Sequence, residues 1–180
     1  ALKKPNIIVF IADDLGWEDL EPYGNNQVIT PNISSLARQG CRFDKVFLTA
    51  SSSSPSRASI LTSLYPSETG AAELHQTLPS SSILATTPLR DMGYFTESVG
   101  KWHLGEVKSQ WDKVSNARDH QMGDAWVNAI RNMPRDKPFF LWAAAYDPHR
   151  GYNDITPKVH HPEALTLPSY LPDIPIVRSD

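Results

Sequence analysis

Apolar residues fall in short runs along the chain, and a polar stretch follows each run. The first run, Ile7 to Ala12, is continuous and rich in β-branched residues, which predicts a strand buried on both faces of a parallel sheet. Composition and flanking turn residues predict three further strands, over Cys41 to Phe47, Tyr94 to Val99 and 139 to 145. The pattern therefore predicts four strands joined by polar connections.

Helical segments alternate with these strands. They are predicted over residues 32–38 after Pro31, over the stretch from Pro55 to Thr62, over a segment that ends at Asp91 before Gly93, and over 122–133. This alternation predicts an α/β fold in which helices flank a mainly parallel sheet. From His160 onward no apolar period is present, so the last part of the chain is predicted as loop or linker.

Composition narrows the class of protein. The 180 residues carry 17 Lys+Arg against 20 Asp+Glu, a net charge of -3, and no long basic run, which argues against nucleic-acid binding. The apolar runs are far shorter than the roughly 20 residues that cross a bilayer, so no membrane span is expected. The single Cys41 excludes an internal disulfide and is predicted to be a small buried residue. No apolar targeting segment precedes Lys3, so a secretory signal is expected to be absent or removed.

Polar clusters stand where the predicted strands end. They are Asp13 and Asp14 after the first strand, the serines 51–54 with Arg57 after the second, Lys101 and His103 after the third, and residues 147–150 after the fourth. In open α/β sheets, ligands bind outside the carboxyl ends of the strands. We therefore expect the four clusters to converge on one site.

The chemistry of the clusters points to an anionic ester. Adjacent carboxylates such as Asp13 and Asp14 suit Ca²⁺ or Mg²⁺, or else lie in a solvated turn. A serine at a helix N-terminus beside Arg57 faces an environment that favours anions, or else only caps the helix. Lys101 and His103 add a cation and an imidazole, while no His or Cys pair has zinc-ligand spacing. Hydrolysis of an anionic ester fits this set better than redox chemistry.

Three ordered motifs lie at these clusters: Ala12-Asp13-Asp14, Ser53-Ser54-Pro55-Ser56-Arg57 and Gly-Lys-Trp-His-Leu-Gly over residues 100–105. Together they resemble the sulfatase family of the alkaline-phosphatase-like superfamily. The stretch Ser53-Ser54-Pro55-Ser56-Arg57 matches the family signature of Cys or Ser, any residue, Pro, Ser, Arg. Ala12-Asp13-Asp14 matches the end of the family's first strand, and residues 100–105 match Gly-Lys-Trp-His-Leu-Gly in full. The resemblance covers residues 5 to about 150 and implies an alkaline-phosphatase-like sulfatase fold, incomplete in this chain.

Within the family, the chain resembles the sulfamidases, which are N-sulfoglucosamine sulfohydrolases of heparan breakdown. Leu74-His75-Gln76 and the stretch from Pro138 to Arg150 carry this likeness. It implies a sulfuric ester or sulfamate hydrolase that removes sulfate from an amino sugar of a heparan-type glycosaminoglycan. It also implies that His75 and Arg150 contact the sugar, with capping of a turn as the alternative role of His75. An O-sulfatase, a phosphoester or phosphonate hydrolase of the same superfamily, and an inactive anion-binding fragment remain alternatives.

The resemblance assigns roles to single residues. It implies that a maturation enzyme oxidises Ser53 to formylglycine, whose hydrated aldehyde supplies the nucleophile, and that Arg57 holds its hydroxyls. Asp13, Asp14 and Ser53 are implied as ligands of Ca²⁺, in preference to Mg²⁺. Lys101 and His149 are implied to grip the sulfate oxygens, and His103 to take the proton that lets the sulfated intermediate collapse. His149 or a residue outside this chain then protonates the leaving group.

The chain departs from the family pattern at several points. Ser63 stands where the family has Gly. A serine at position 53 implies a bacterial enzyme of the periplasm or exterior, unless it replaces an original Cys, and unmodified Ser53 implies little or no turnover. The family's later Asp-Asn metal pair has no match, since Asn153-Asp154 has the reverse order.

We therefore expect residues 1–180 to form the N-terminal part of a sulfatase catalytic domain. Residues from about 160 to 180 are expected to lead into a remainder, without which this chain is inactive. The expected partners are a sulfated saccharide substrate, a formylglycine-generating maturation enzyme and that remainder of the chain.

Overall fold

The computed structural model describes residues 3–117, 122–151 and 160–179. The chain divides into two compact units, each formed by two segments. The first unit contains Ala1–Asp14 and Phe47–Arg150, and the second contains Leu15–Val46 and Gly151–Asp180. All the polar clusters predicted from the sequence belong to the first unit.

The first unit is built on a parallel four-stranded sheet. Its strands are β1 (Ile7–Ile11), β2 (Phe95–Gly100), β3 (Lys113–Ser115) and β4 (Phe139–Ala144), in the order β1-β4-β2-β3. Every neighbouring pair is parallel, so the carboxyl ends of all four strands meet at one edge. This arrangement confirms the predicted α/β class with a parallel sheet.

Burial of β1 differs from the prediction. Its side chains alternate between half-buried and exposed, and Phe10 is 59% exposed. The expectation that β1 is buried on both faces is therefore wrong within the described residues. The reason is position, because β1 lies at one side of the sheet, whereas β4 lies between β1 and β2 and is buried along its whole length.

The described residues form the helices α1 (Pro31–Gln39), α2 (Ser53–Thr62), α3 (Pro66–Thr69), α4 (Thr86–Asp91), α5 (Met122–Arg131) and α6 (Pro175–Ser179). The helices α1, α2, α4 and α5 overlap the predicted segments, whereas α3 and α6 were not predicted. Short 3-10 segments occur at Trp17–Asp19, Glu21–Tyr23, Val107–Gln110 and Pro162–Ala164. In the part of the chain that the structure describes, no helix has the length and apolar character needed to cross a membrane.

Two segments differ from their predictions. The predicted strand over Cys41 to Phe47 is irregular backbone, and Cys41 is exposed rather than buried. The apolar residues there have high β propensity, but a strand needs a partner, and no strand of the described residues pairs with them. The segment predicted as loop or linker contains α6, where Arg178 donates hydrogen bonds of 2.9 Å to the carbonyls of Pro162 and Leu165.

The apolar core of the first unit lies on both faces of the sheet. Alternate side chains of β4 point to opposite faces. Phe140, Trp142 and Ala144 join one buried cluster, while Phe139, Leu141 and Ala143 join the other. The core therefore holds β4 from both sides and keeps the carboxyl edge of the sheet in a defined position.

Ser63 ends α2 in the left-handed conformation. Its φ is 60° and ψ 23°, and its backbone N–H donates to the Ser59 carbonyl at 2.8 Å. Glycine has no Cβ penalty in this region, so Ser63→Gly is expected to raise the free energy of unfolding by about 0.5–1 kcal/mol, net of the entropy that Gly adds to the unfolded state. Denaturant unfolding measures the change. Ser67→Gly, within α3, is the control, and it is expected to lower the free energy of unfolding by about 0.5–1 kcal/mol. Equal effects at both positions would contradict the left-handed conformation of Ser63.

Candidate active site

The candidate site lies at the carboxyl edge of the sheet. Backbone hydrogen bonds beyond the strands hold this edge together: Ala145 donates to Ile11 at 2.8 Å, Lys101 to Ala144 at 3.0 Å, and Asp13 to Asp147 at 3.0 Å. Each bond joins residues at or just after the carboxyl ends of two different strands. The ends of β1, β2 and β4 are therefore fixed against one another, and the side chains that follow them share one location.

Helix α2 brings the serine run to this edge. The helix begins at Ser53, two residues earlier than predicted, with Ser52 as its N-cap. Pro55 lies in the first turn, where the missing N–H costs no hydrogen bond. Because the first N–H groups of a helix have no partner within it, Ser53 stands at an end of α2 that favours negative charge.

Asp13 is the centre of the site. Its side chain is 3% exposed, and Ser53 Oγ donates to its Oδ1 at 3.1 Å. Arg57 Nη2 lies 3.3 Å from the same oxygen, and Lys101 Nζ forms an ion pair with Oδ2. Lys101 Nζ also lies 3.4 Å from Ser53 Oγ. The structure thus brings four of the predicted site residues into direct contact, although 88 positions separate Asp13 from Lys101.

The charges of this cluster sum to an excess of one positive charge, from Lys101 and Arg57 against Asp13. Burial alone raises the pKa of the Asp13 carboxyl, but the hydrogen bond and charge of Lys101, with Ser53 and Arg57, hold that pKa below its usual value. Burial lowers the pKa of Arg57, and the Asp13 carboxylate opposes that shift. The excess charge beside Ser53 suits a bound anion.

The motif over residues 100–105 places Lys101 and His103. Gly100 has φ +107°, and a Cβ there would lie 1.8 Å from the Ala144 carbonyl oxygen. Gly105 has φ +78°, and a Cβ there would lie 2.0 Å from Thr77 Cγ2. The Trp102 indole is buried and donates to the Gly105 carbonyl at 2.6 Å. The backbone conformation and close contacts therefore require glycine at positions 100 and 105, and the Trp102 hydrogen bond holds the loop. This loop carries Lys101 and His103.

His103 contacts His75 rather than the Asp13 cluster directly. His103 Nε2 lies 2.7 Å from His75 Nδ1, and the two backbones have φ of 53° and 67°. The backbone N–H of His75 donates to Ser54 Oγ at 2.8 Å. Burial lowers the pKa of His103, and the charges of Lys101, His75 and Arg57 lower it further. His103 is thus favoured in its neutral form.

Asp14, His149 and Arg150 form the exposed side of the same edge. Asp14 has φ 60°, and its side chain is 61% exposed. His149 Nε2 lies 3.6 Å from Asp14 Oδ2, and His149 Nδ1 lies 2.9 Å from the Arg150 carbonyl oxygen. The structure therefore brings Asp14 and His149 together, and Arg150 lies on the surface beside them.

Two residues of the site were not predicted. Ser54 is buried and accepts the hydrogen bond from His75, and Tyr146 interacts electrostatically with Arg57. Within the serine run the type of residue is the same at each position, so composition carries no signal for Ser54. Adjacent residues of a helix point about 100° apart, which is why Ser53 meets Asp13 while Ser54 meets His75.

The donor set has the chemistry of a site for a hard divalent cation. The Asp13 carboxylate and the Ser53 hydroxyl already converge on one point, and the Asp14 carboxylate follows directly in the chain. Oxygen donors of this kind suit Ca²⁺ or Mg²⁺. Within 3–117, 122–151 and 160–179, no group of three or more His, Cys, Asp or Glu side chains is arranged for a metal. The described residues thus fit part of a ligand set, and Asn153-Asp154 lies outside them.

Comparison with known proteins agrees with this geometry. A family model described as Sulfatase matches residues 5–164. The chain is 44% identical over 108 residues to the N-acetylgalactosamine-6-O-sulfatase of Bacteroides thetaiotaomicron, a match covering 57% of the chain and 21% of that protein. It is 31% identical over 214 aligned positions to the N-sulphoglucosamine sulphohydrolase of Homo sapiens, covering 97% of the chain and 42% of that protein.

A solved structure shares the fold. It is a complex with its substrate D-glucosamine-2-N,6-O-disulfate and superposes with a TM-score of 0.77 at 28% identity. The match covers 82% of this chain and 35% of that one. The chain thus spans less than half the length of these relatives.

Proposed function

The chain belongs to the sulfatase family, and from this premise we propose that the full-length protein hydrolyses a sulfate group from a sulfated amino sugar. One observation carries the proposal. Ser53 Oγ lies at the start of α2, within hydrogen-bonding distance of Asp13 and 3.4 Å from Lys101 Nζ, beside a buried Arg57. A hydroxyl in a cluster with excess positive charge is the arrangement that attack on a sulfate requires.

The charged and titratable residues of the site have separate roles in the proposed reaction. Lys101 and Arg57 bind sulfate oxygens and stabilise the negative charge that develops on them. His149, on the exposed side of the edge, binds the sulfate from the solvent side or protonates the leaving group. His103, whose lowered pKa keeps it neutral, accepts a proton during turnover. Arg150 and His75 were predicted to contact the sugar; Arg150 stays in that role, while His75 contacts His103.

Two groups complete the chemistry. Formylglycine made from Ser53 supplies a nucleophilic hydroxyl and a second hydroxyl whose deprotonation releases the sulfate, whereas a plain serine sulfate has no such release. Asp13 and Asp14, with the residue at position 53, would hold a Ca²⁺ ion, or less favourably Mg²⁺, whose charge would polarise the sulfate.

We further propose an N-sulfated glucosamine of a heparan-type glycosaminoglycan as the substrate. The phrase Leu74-His75-Gln76 supports this, as does the similarity to the N-sulphoglucosamine sulphohydrolase over 97% of the chain. The structural relative bound to a sugar with both 2-N and 6-O sulfate supports an amino sugar as well. A 6-O-sulfated amino sugar is the alternative that the similarity to the 6-O-sulfatase favours.

The proposed activity depends on two partners of the described residues. The remainder of the chain would complete the cation site, and a maturation enzyme would oxidise Ser53. The short length relative to the matched proteins supports a further part of the catalytic domain, with residues 160–180 leading to it. A serine at the modified position supports a bacterial enzyme of the periplasm or exterior.

Ser53→Ala in the full-length protein is expected to reduce sulfate release by at least about 1,000-fold, because it removes the precursor of the nucleophile. The protein is produced together with a serine-type maturation enzyme. Mass spectrometry of the peptide that contains residue 53 is expected to show the loss of two hydrogen atoms in the parent protein. Sulfate release is then measured with N-sulfoglucosamine, a 6-O-sulfated hexosamine and a phosphonate monoester.

Ser51→Ala is the matched control, since Ser51 is exposed and precedes the helix, and it is expected to keep full activity. Preference for the 6-O-sulfated sugar would replace the N-sulfate assignment. An aldehyde-bearing full-length protein that releases sulfate from none of the sugars would overturn the proposed function.

A further inference from the structure

The histidine pair has features that the proposed function does not explain. His75 Nδ1 and His103 Nε2 are 2.7 Å apart, with ring centroids at 4.9 Å. Both backbones adopt left-handed conformations, which are costly for residues other than Gly and persist only where the surroundings enforce them. The backbone N–H of His75 donates a hydrogen bond to Oγ of the buried Ser54. The fold therefore imposes this contact at some energetic cost.

The remaining nitrogen of His103 decides which way the shared proton points. His103 Nδ1 is buried and has no hydrogen-bond partner among the described residues. If His75 donated to His103 Nε2, a neutral His103 would carry its proton on Nδ1, and this buried N–H would lack an acceptor, which is unfavourable. If His103 Nε2–H donates to His75 Nδ1, Nδ1 of His103 is only a bare lone pair. A buried acceptor without a partner is less costly than a buried donor.

We propose that His75 is a positioning residue that accepts the Nε2–H of His103 and thereby fixes the tautomer and the orientation of the His103 ring. Ser54 supports this arrangement by holding the backbone of His75. His75 thus acts through His103. Substitution of His75 is expected to change the tautomer and the orientation of the His103 ring. The catalytic consequence rests on the proposed function, whereas the tautomer is a property of the folded protein.

The charges around His103 agree with this assignment. Lys101 and Arg57 are the cations that act on it, and Asp13 is the opposing carboxylate. A positive charge on His103 beside these two cations is unfavourable, so the neutral ring is favoured, with a single N–H that either ring nitrogen can carry.

Nitrogen-15 NMR of the full-length protein labelled in histidine tests the tautomer without any turnover. Two-bond proton–nitrogen correlations distinguish protonated from unprotonated ring nitrogens, and His103→Gln identifies the signals of His103. We expect His103 to carry its proton on Nε2 in the parent protein at neutral pH. A proton on Nδ1 with a bare Nε2 would overturn the inference, whatever the activity of the protein.

Two variants with matched backbones test the positioning role. Asn and Gly both tolerate a left-handed φ, but only Asn keeps a polar atom near the place of Nδ1. His75→Gly is expected to mix the His103 tautomers and to lower kcat about 10-fold to 100-fold, with KM changed less than about two-fold. His75→Asn is expected to recover most of that loss. Equal kcat values for both variants and the parent would overturn the positioning role, and an unchanged His103 spectrum in His75→Gly would do the same.

Discussion

Asp13→Asn is expected to lower the free energy of unfolding by about 3–5 kcal/mol, whereas Asp14→Asn changes it by less than about 0.5 kcal/mol. The two residues are adjacent and chemically identical. Asp13 is buried against Arg57, which is itself 3% exposed, and against Lys101. Without the carboxylate, these cations stay away from water with no counter-charge, whereas Asp14 is largely solvated.

Denaturant unfolding of the full-length protein measures the difference. A chelating buffer removes the contribution of a divalent cation, which both aspartates are proposed to bind. Asparagine preserves the shape of each side chain and tolerates the left-handed φ of Asp14, so the comparison isolates charge. Equal losses at the two positions would contradict the placement of Asp13 as the buried counter-ion.

The contacts of the Asp13 carboxylate with Arg57 and Lys101 predict that the free energy of unfolding depends on pH. The pKa of Asp13 is lower in the folded protein than in the unfolded chain, so the folded state is stabilised wherever the carboxyl is ionised. This stabilisation is complete above the unfolded pKa of about 3.9 and is lost as the pH falls from there through the lower folded pKa. Unfolding curves between roughly pH 2 and 6 are expected to show a shallower acid slope for Asp13→Asn than for Asp14→Asn.

Gly100→Ala is expected to destabilise the protein by about 4 kcal/mol or more. The new methyl group would lie 1.8 Å from the Ala144 carbonyl oxygen and 2.9 Å from Met122 Cε. The carbonyl belongs to the end of β4, which the core holds from both faces, so β2 and β4 would have to separate at their carboxyl ends. That separation would break the 3.0 Å hydrogen bond from Lys101 N to Ala144 and would draw Lys101 away from Asp13.

Gly93→Ala separates the steric effect from backbone strain. Gly93 has φ +86°, and a Cβ there would meet nothing within 4 Å. The left-handed strain alone costs about 1–2 kcal/mol, which is the loss expected for Gly93→Ala. Thermal or denaturant unfolding compares the two variants. If Gly100→Ala and Gly93→Ala lose the same stability, the close approach of β2 and β4 has no energetic importance.

Local pattern was enough for much of the fold. The apolar runs predicted β1, β2 and β4, and Pro31 with the apolar spacing predicted the helix over 32–38, because these signals act within a few residues. The helix over 122–133 was predicted from the alternation of strands and helices. The prediction over Cys41 to Phe47 was wrong for the complementary reason. That segment has the composition of a strand, but pairing depends on a neighbour that the segment's own residues do not specify.

For the site, the sequence by itself determined the residue types and the family. The motifs around Asp13 and Lys101 follow predicted strands that the structure contains, so their meeting at one edge followed from the rule for parallel sheets. Ser53 reaches the same edge at the start of α2, because the strand predicted before it is irregular backbone. Tertiary structure alone decided which of two adjacent aspartates is buried, which serine meets it, and that His75 contacts His103. These outcomes depend on side-chain direction and on contacts between residues 28 to 88 positions apart, and such contacts form only when packing of the core brings the ends of the strands together.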